Sequence, residues 1–217
     1  MNKGKTNKSR GLLTILNKAS PWPMGYPFRM CREERKFFKT WIKPAKIYLE
    51  FGGGGSTIHA IKHSHAMVYS VESDQRWIKE LVSYRILRKY LNKRWQYLYV
   101  NIGHTTSWGF PPKNASPDQF PAYSSLIFNK INPVIPDRIL IDGRFRVACV
   151  LQSILHCHEN PNLQILVHDI WPWKQYYVVL EFLNEIHWVD TLGVFSIRYN
   201  ISLKKVERLY HEYKYRP

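Results

Sequence analysis

The segment Ile47 to Thr57, IYLEFGGGGST, constrains this chain more than any other, because an apolar run enters consecutive glycines and leaves them on two hydroxyl residues. Ile47, Tyr48, Leu49 and Phe51 favour a buried strand. Gly52 to Gly55 let the backbone approach a ligand more closely than a Cβ permits. Ser56 and Thr57 open a helix whose first amides face that ligand. A second apolar run, Met67 to Val71, ends in Glu72, where a carboxylate accepts hydrogen bonds from both hydroxyls of a ribose. Together these make a βαβ unit of the kind that binds nucleotide-like cofactors.

The dinucleotide pattern GxGxxG fails, since the third glycine position holds Thr57. Alternation of apolar runs and helical periodicity continues beyond the turn. Strands are expected at 47–51, 67–71, 96–101, 138–141, 163–167, 187–191 and 193–199. Helices are expected at about 32–42, 56–63, 74–91, 147–157 and 175–186. This order implies an α/β fold of three layers, Rossmann-like, with a seven-stranded, mostly parallel sheet whose last strand is antiparallel. Residues 1–27 read as an irregular basic arm and 28–217 as one domain. Residues 103–136, with six prolines, read as a long loop over the active site with a short helix near 123–131.

Glu50 directly before the turn resembles the first motif, E/D-x-G-x-G, of the class I S-adenosylmethionine-dependent methyltransferases, and Glu72 matches the acidic end of their second strand. SWGFP at 107–111, IDGRFRVAC at 141–149 and VHDIW at 167–171 extend the likeness. Over about residues 28–197 the chain resembles a group of methyltransferase-like proteins with LEFG-G-GST, W-G-x-P, DGRFR and HD-x-W blocks in that order. The resemblance implies their fold and S-adenosyl-L-methionine as cofactor, held by Glu50, Gly52, Gly53, Gly54, Ser56, Thr57, Glu72, Asn101 and Asp142. Asn101 departs from the acid that many methyltransferases carry at the end of strand three.

Methyl transfer from a sulfonium to a hydroxyl needs alignment and a base, for which Asp142 and His168 are the candidates, with Asp169 beside them. By position Asp142 and Asp169 also resemble the acids that hold Mg²⁺ in metal-dependent catechol and macrolide-sugar O-methyltransferases. Arg144 and Arg146 flank Phe145, and in an extended segment both face one side, suited to a carboxylate or phosphate. Trp108, Tyr123, Trp171 and Trp173 are candidate stacking walls for a sugar or base. His156, Cys157 and His158 at a helix end lack the spacing of a zinc site.

The leading function is thus an O-methyltransferase acting on a small anionic, sugar or glycan hydroxyl. The net charge of +16 in 217 residues also suits nucleic acid, so an RNA methyltransferase and a non-catalytic basic nucleic-acid-binding protein are the alternatives. DGRFR stands where base-modifying enzymes carry an Asn/Asp-Pro-Pro-aromatic motif. No apolar run approaches the roughly 18 residues that span a bilayer. Three cysteines without metal spacing fit a reducing, intracellular and cytoplasmic setting, with organelle targeting by the basic N-terminus as the variant.

Overall fold

A computed structural model describes residues 3–106, 109–112 and 115–217, the side chains of residues 3–10 excepted. Seven strands form one sheet in the order β3-β2-β1-β4-β5-β7-β6. They are β1 (Ile47–Phe51), β2 (Met67–Glu72), β3 (Trp95–Tyr99), β4 (Arg138–Ile141), β5 (Gln164–Val167), β6 (Leu183–Val189) and β7 (Leu192–Ile197). β1 to β5 pair in parallel, and β7 runs antiparallel between β5 and β6.

Successive strand residues point to opposite faces, so each strand feeds two cores. Leu49, Phe51, Ile139, Ile141, Ile165 and Val167 belong to one. It is closed by helices α6 (Phe120–Ile131), α7 (Arg146–Cys157) and α8 (Leu203–Tyr213). Tyr48, Val68, Leu140 and Leu166 belong to the other, under α2 (Arg32–Ile42), α3 (Gly55–His63), α4 (Gln75–Val82) and α5 (Arg85–Tyr90). Helices on both faces make the central strands predominantly apolar, Glu50 and Ser70 being the buried polar exceptions. Strand order reverses between β1 and β4, and the crevice lies beyond their C-terminal ends, lined by the turns that follow them.

Several expected elements differ. The 1–27 arm is not irregular throughout: helix α1 spans Lys3–Ala19. No proline precedes Pro21, and the helix is anchored at its end, where Lys18 pairs with Glu80 at 2.7 Å. The helix expected over 74–91 breaks into α4 and α5, because Ser83 Oγ donates to Glu80 O at 2.6 Å and Tyr84 turns extended. Over 175–186 there is no α-helix. Lys174–Phe182 is 3₁₀, and Leu183 begins β6, which pairs along β7, so strand pairing overrides the local periodicity. Helix α8, unforeseen, packs Val206 and Tyr210 into the core beside α7. α6 begins at Phe120, directly after a 3₁₀ turn at Pro117–Gln119.

Candidate active site

Glu50 organises the turn from beneath. It is fully buried at the centre of β1 and accepts from Tyr48 Oη at 2.9 Å, Ser56 Oγ at 2.6 Å and Ser70 Oγ at 2.6 Å, and from Thr57 Oγ1. Burial raises its pKa, against those four hydroxyl donors. Glu50 and Thr57, expected as cofactor ligands, brace the turn from beneath with side chains that do not line the crevice, whereas Ser56 lines it although its hydroxyl donates to Glu50. Their chemistry is inward: a buried carboxylate takes every donor within reach. Thr57 Oγ1 in turn accepts from the Gly54 amide at 2.9 Å.

The glycines divide into two kinds. Gly52 has φ +92°, and a Cβ there would fall 2.7 Å from Gly143 N, so this glycine lets the β1 and β4 turns touch. A Cβ on Gly54 would meet only Trp77, at 3.9 Å, so that backbone faces open space. Gly53 O accepts from Trp77 Nε1 at 2.6 Å, which ties the turn to α4.

Glu72 ends β2 at the same crevice. One carboxylate oxygen accepts from the backbone amides of Ser73 at 2.7 Å and Asp74 at 3.0 Å. Burial pushes its pKa up to about 7, against those two bonds. Asn101 does not join it: the residue is exposed, lies off the crevice and uses its side chain to accept from Gly103 N at 3.0 Å. An Asx turn at the edge of β3 explains the residue without a ligand.

At the ends of β4 and β5 the polar side chains converge. His168 Nδ1 is 2.7 Å from Asp142 Oδ1 and 3.8 Å from Asp169 Oδ2. Burial lowers the imidazole pKa, but the Asp142 hydrogen bond and the charges of Asp142, Asp169 and Glu34 leave it raised. Glu34 was not foreseen. It is 2% exposed, caps α2 by accepting from Cys31 N at 2.7 Å, and puts its other oxygen on Thr191 Oγ1 at 2.7 Å. Its Oε2 lies 3.6 Å from His168 Nε2. The spacing Cys31-x-x-Glu34 signalled the capping box. Nothing local signalled that α2 lies across the ends of β5 and β7.

The extended segment expected at 144–146 does not form: Phe145 adopts a left-handed conformation at φ 55° and is wholly buried, and Arg146 begins α7, yet both arginines line the same crevice. Arg146, 7% exposed, reaches Asp169 Oδ2 at 3.2 Å and Asp142 Oδ1 at 3.6 Å, and also donates to the carbonyl of His168. It is a clamp between β4 and β5, with no donor set aside for substrate. Arg144 instead lies 4.0 Å over the Phe110 ring at the crevice, with Nε buried and unpartnered.

Asp142, His168 and Asp169 offer ligand atoms within 4.8 Å of one another. The set does not fit a divalent cation, because Arg146 already places a guanidinium against both carboxylates. Trp171 is off the crevice, packed at 6.0 Å from the Phe195 ring. Its alternation along the loop points it at β7, whereas Trp173 faces the crevice. Trp108 lies outside the described residues. The resulting cleft, about 830 Å³, is lined by the glycine turn, Glu72, Asp142, Arg144 and His168. That volume admits a nucleoside-sized cofactor together with a small second ligand.

The sequence matches no protein-family model and no curated protein. Solved structures do match. A methyltransferase-like protein from Silicibacter pomeroyi DSS-3 superposes with TM-score 0.77 at 26% identity, covering 89% of this chain and 100% of that one. A cofactor-bound protein from MTB aligns with TM-score 0.57 at 14% identity, covering 92% of this chain and 93% of its own. The O-methyltransferase from Bacillus cereus, in complex with SAH, aligns with TM-score 0.50 at 14% identity over 98% of this chain and 79% of that chain.

Proposed function

We propose that this chain, which has the fold of the class I S-adenosylmethionine-dependent methyltransferases, moves a methyl group from S-adenosylmethionine to a hydroxyl of a small acceptor. The observation that carries the reading is the single cleft in which the open backbone of Gly54, the Glu72 carboxylate and the Asp142–His168 pair meet. Glu72 suits a ribose, since a buried carboxylate with a raised pKa gains from two hydroxyl donors. Gly53 and Gly54 leave room for the amino-acid end of the cofactor. When bound, that cofactor supplies an electrophilic methyl on a sulfonium.

The chain's own groups orient the acceptor and take its proton. Asp142, a quarter of its side chain exposed, lines the cleft bonded to His168, and it receives the proton as the acceptor oxygen bonds to the methyl carbon and the carbon–sulfur bond breaks. His168 bonds Asp142 through Nδ1 and faces Glu34 through Nε2, so it holds the carboxylate in place and offsets its charge. Arg146 fixes both acids, and no step is routed through a cation. Arg144, on Phe110, offers a guanidinium to a carboxylate or phosphate. An anionic or sugar-like acceptor is therefore the preferred class.

The net charge of +16 favours one second reading, an RNA acceptor. Salt separates the two, since binding through phosphates weakens steeply with ionic strength whereas a buried cleft responds little. Transfer of a labelled methyl group to panels of hydroxy acids, sugar phosphates and RNA is the direct test. Calorimetric titration that detects no S-adenosylmethionine binding would overturn both and leave a non-catalytic basic protein.

A further inference from the structure

The amphipathic helix α1 is used neither by the cleft nor by either core. Every residue from 11 to 16 is exposed, including Leu12 at 59%, Leu13 at 59%, Ile15 at 64% and Leu16 at 57%. At the pitch of an α-helix these four side chains fall within an arc of about 160°. None packs against either hydrophobic core. Isolated exposed leucines are ordinary, but four aliphatics on one helix face form a patch that needs an occupant.

The helix is nevertheless held to the body at its C-terminal end. Lys18 pairs with Glu80 and lies 5.9 Å over the Tyr84 ring. Asn17 Oδ1 accepts from Met24 N at 2.9 Å and Gly25 N at 2.7 Å, which folds the following segment back beside the last turn. That segment carries two more exposed apolar groups, Trp22 at 52% and Met24 at 86%. The apolar face and these two residues thus share one anchored region of the molecule.

Charge selects the occupant. Residues 1–32 contain Lys3, Lys5, Lys8, Arg10, Lys18, Arg29 and Arg32 and no acid at all. A second copy of this chain would bring the same positive charge and be repelled. RNA would accept the lysines and give the aliphatic side chains nothing to bury against, since nucleic-acid binding stacks bases on aromatic rings. A lipid surface with anionic headgroups accepts both at once, aliphatics among the acyl chains and lysines at the phosphates. Trp22 is of the type that settles at that boundary. The helix lies on such a surface and does not cross it, for no helix among the described residues is long and apolar enough to span.

We infer that α1 and the Trp22–Met24 segment dock this protein on anionic membrane surfaces. The test is flotation of the full chain with vesicles of equal parts phosphatidylcholine and phosphatidylserine, against vesicles of phosphatidylcholine alone. The variant is Leu12→Gln, Leu13→Gln, Leu16→Gln, which keeps both net charge and helix propensity and alters only exposed positions. The expected result is binding to the mixed vesicles, little to the neutral ones, and about a tenfold or greater loss in the variant. Equal binding by variant and parent would reduce the attraction to charge alone and overturn the docking helix. So would absence of binding at low salt, or a concentration-dependent dimer that the same substitutions abolish.

Discussion

His168 Nδ1 and Asp142 Oδ1 are 2.7 Å apart, joining the ends of two adjacent strands through one hydrogen bond, while the far side of the imidazole faces the buried Glu34 at 3.6 Å. The Asp142 bond and the charges of Asp142, Asp169 and Glu34 raise the imidazole pKa against its burial and so favour the charged ring. It serves better to position and neutralise Asp142 than to take a proton itself.

Asp142→Asn is accordingly expected to lower methyl transfer by about a hundredfold to ten-thousandfold, the range for removing a general base. Cofactor affinity, measured by calorimetry, is expected to change far less. His168→Gln keeps one donor toward Asp142 and should lose less rate than Asp142→Asn. The reverse ranking would make His168 the base.

The protonation of Glu72 makes a prediction about stability. A carboxyl whose folded pKa of about 7 exceeds its ordinary 4.5 binds more protons folded than unfolded between those values. Its contribution is fully present below pH 4.5 and lost as pH rises through about 7. Glu72→Gln is therefore expected to stabilise the cofactor-free protein at pH 8, by on the order of 2 to 3 kcal/mol, and to do little at pH 4.5. Binding of S-adenosylmethionine should weaken in the same variant by roughly tenfold to a hundredfold. A variant no more stable at pH 8 than the parent would place the Glu72 carboxyl in water.

Two glycines of one turn are expected to answer differently to the same change. Gly52→Ala puts a Cβ 2.7 Å from Gly143 N at φ +92° and should destabilise the fold by about 1 to 3 kcal/mol or more, read by thermal unfolding. Gly54→Ala meets only the edge of Trp77, so the protein should fold and lose cofactor affinity instead. Loss of folding in both would mark the whole turn as structural.

The sequence made much of this legible. Strands β1 to β5 carry mostly apolar runs, broken by Glu50, Ser70 and Gln96, because helices cover both sheet faces, and such runs are visible without a structure. The glycine turn, Glu72, Asp142 and His168 follow from lying at strand ends. What stayed hidden depended on contacts distant in sequence. Glu50 reads as a ligand until Tyr48, Ser56, Thr57 and Ser70 are seen to saturate it. Arg146 reads as a second ligand beside Arg144 until its bonds to Asp142, Asp169 and the His168 carbonyl are seen. The first half of β6, residues 183–186, reads as helix until β7 offers it an edge.

The two arginines separate in function, and this gives the last prediction. Arg144→Lys keeps the charge but loses the planar two-point contact, so it is expected to raise the KM for an anionic acceptor while leaving cofactor affinity and melting temperature near the parent's. Arg146→Met removes the guanidinium between Asp142 and Asp169, which leaves two carboxylates facing one another at the buried end of the cleft. That change should cost about 3 kcal/mol of stability, less where the two acids reach solvent, and the cost should ease as pH falls and a carboxylate takes up a proton. With Arg146 gone the acids are also free to attract a divalent cation, so added Mg²⁺ is expected to stabilise the Arg146→Met protein and not the parent. In the parent, methyl transfer should be unaltered by excess chelator. Activity abolished by chelator and restored by Mg²⁺ would show that the cation displaces Arg146 in the working enzyme.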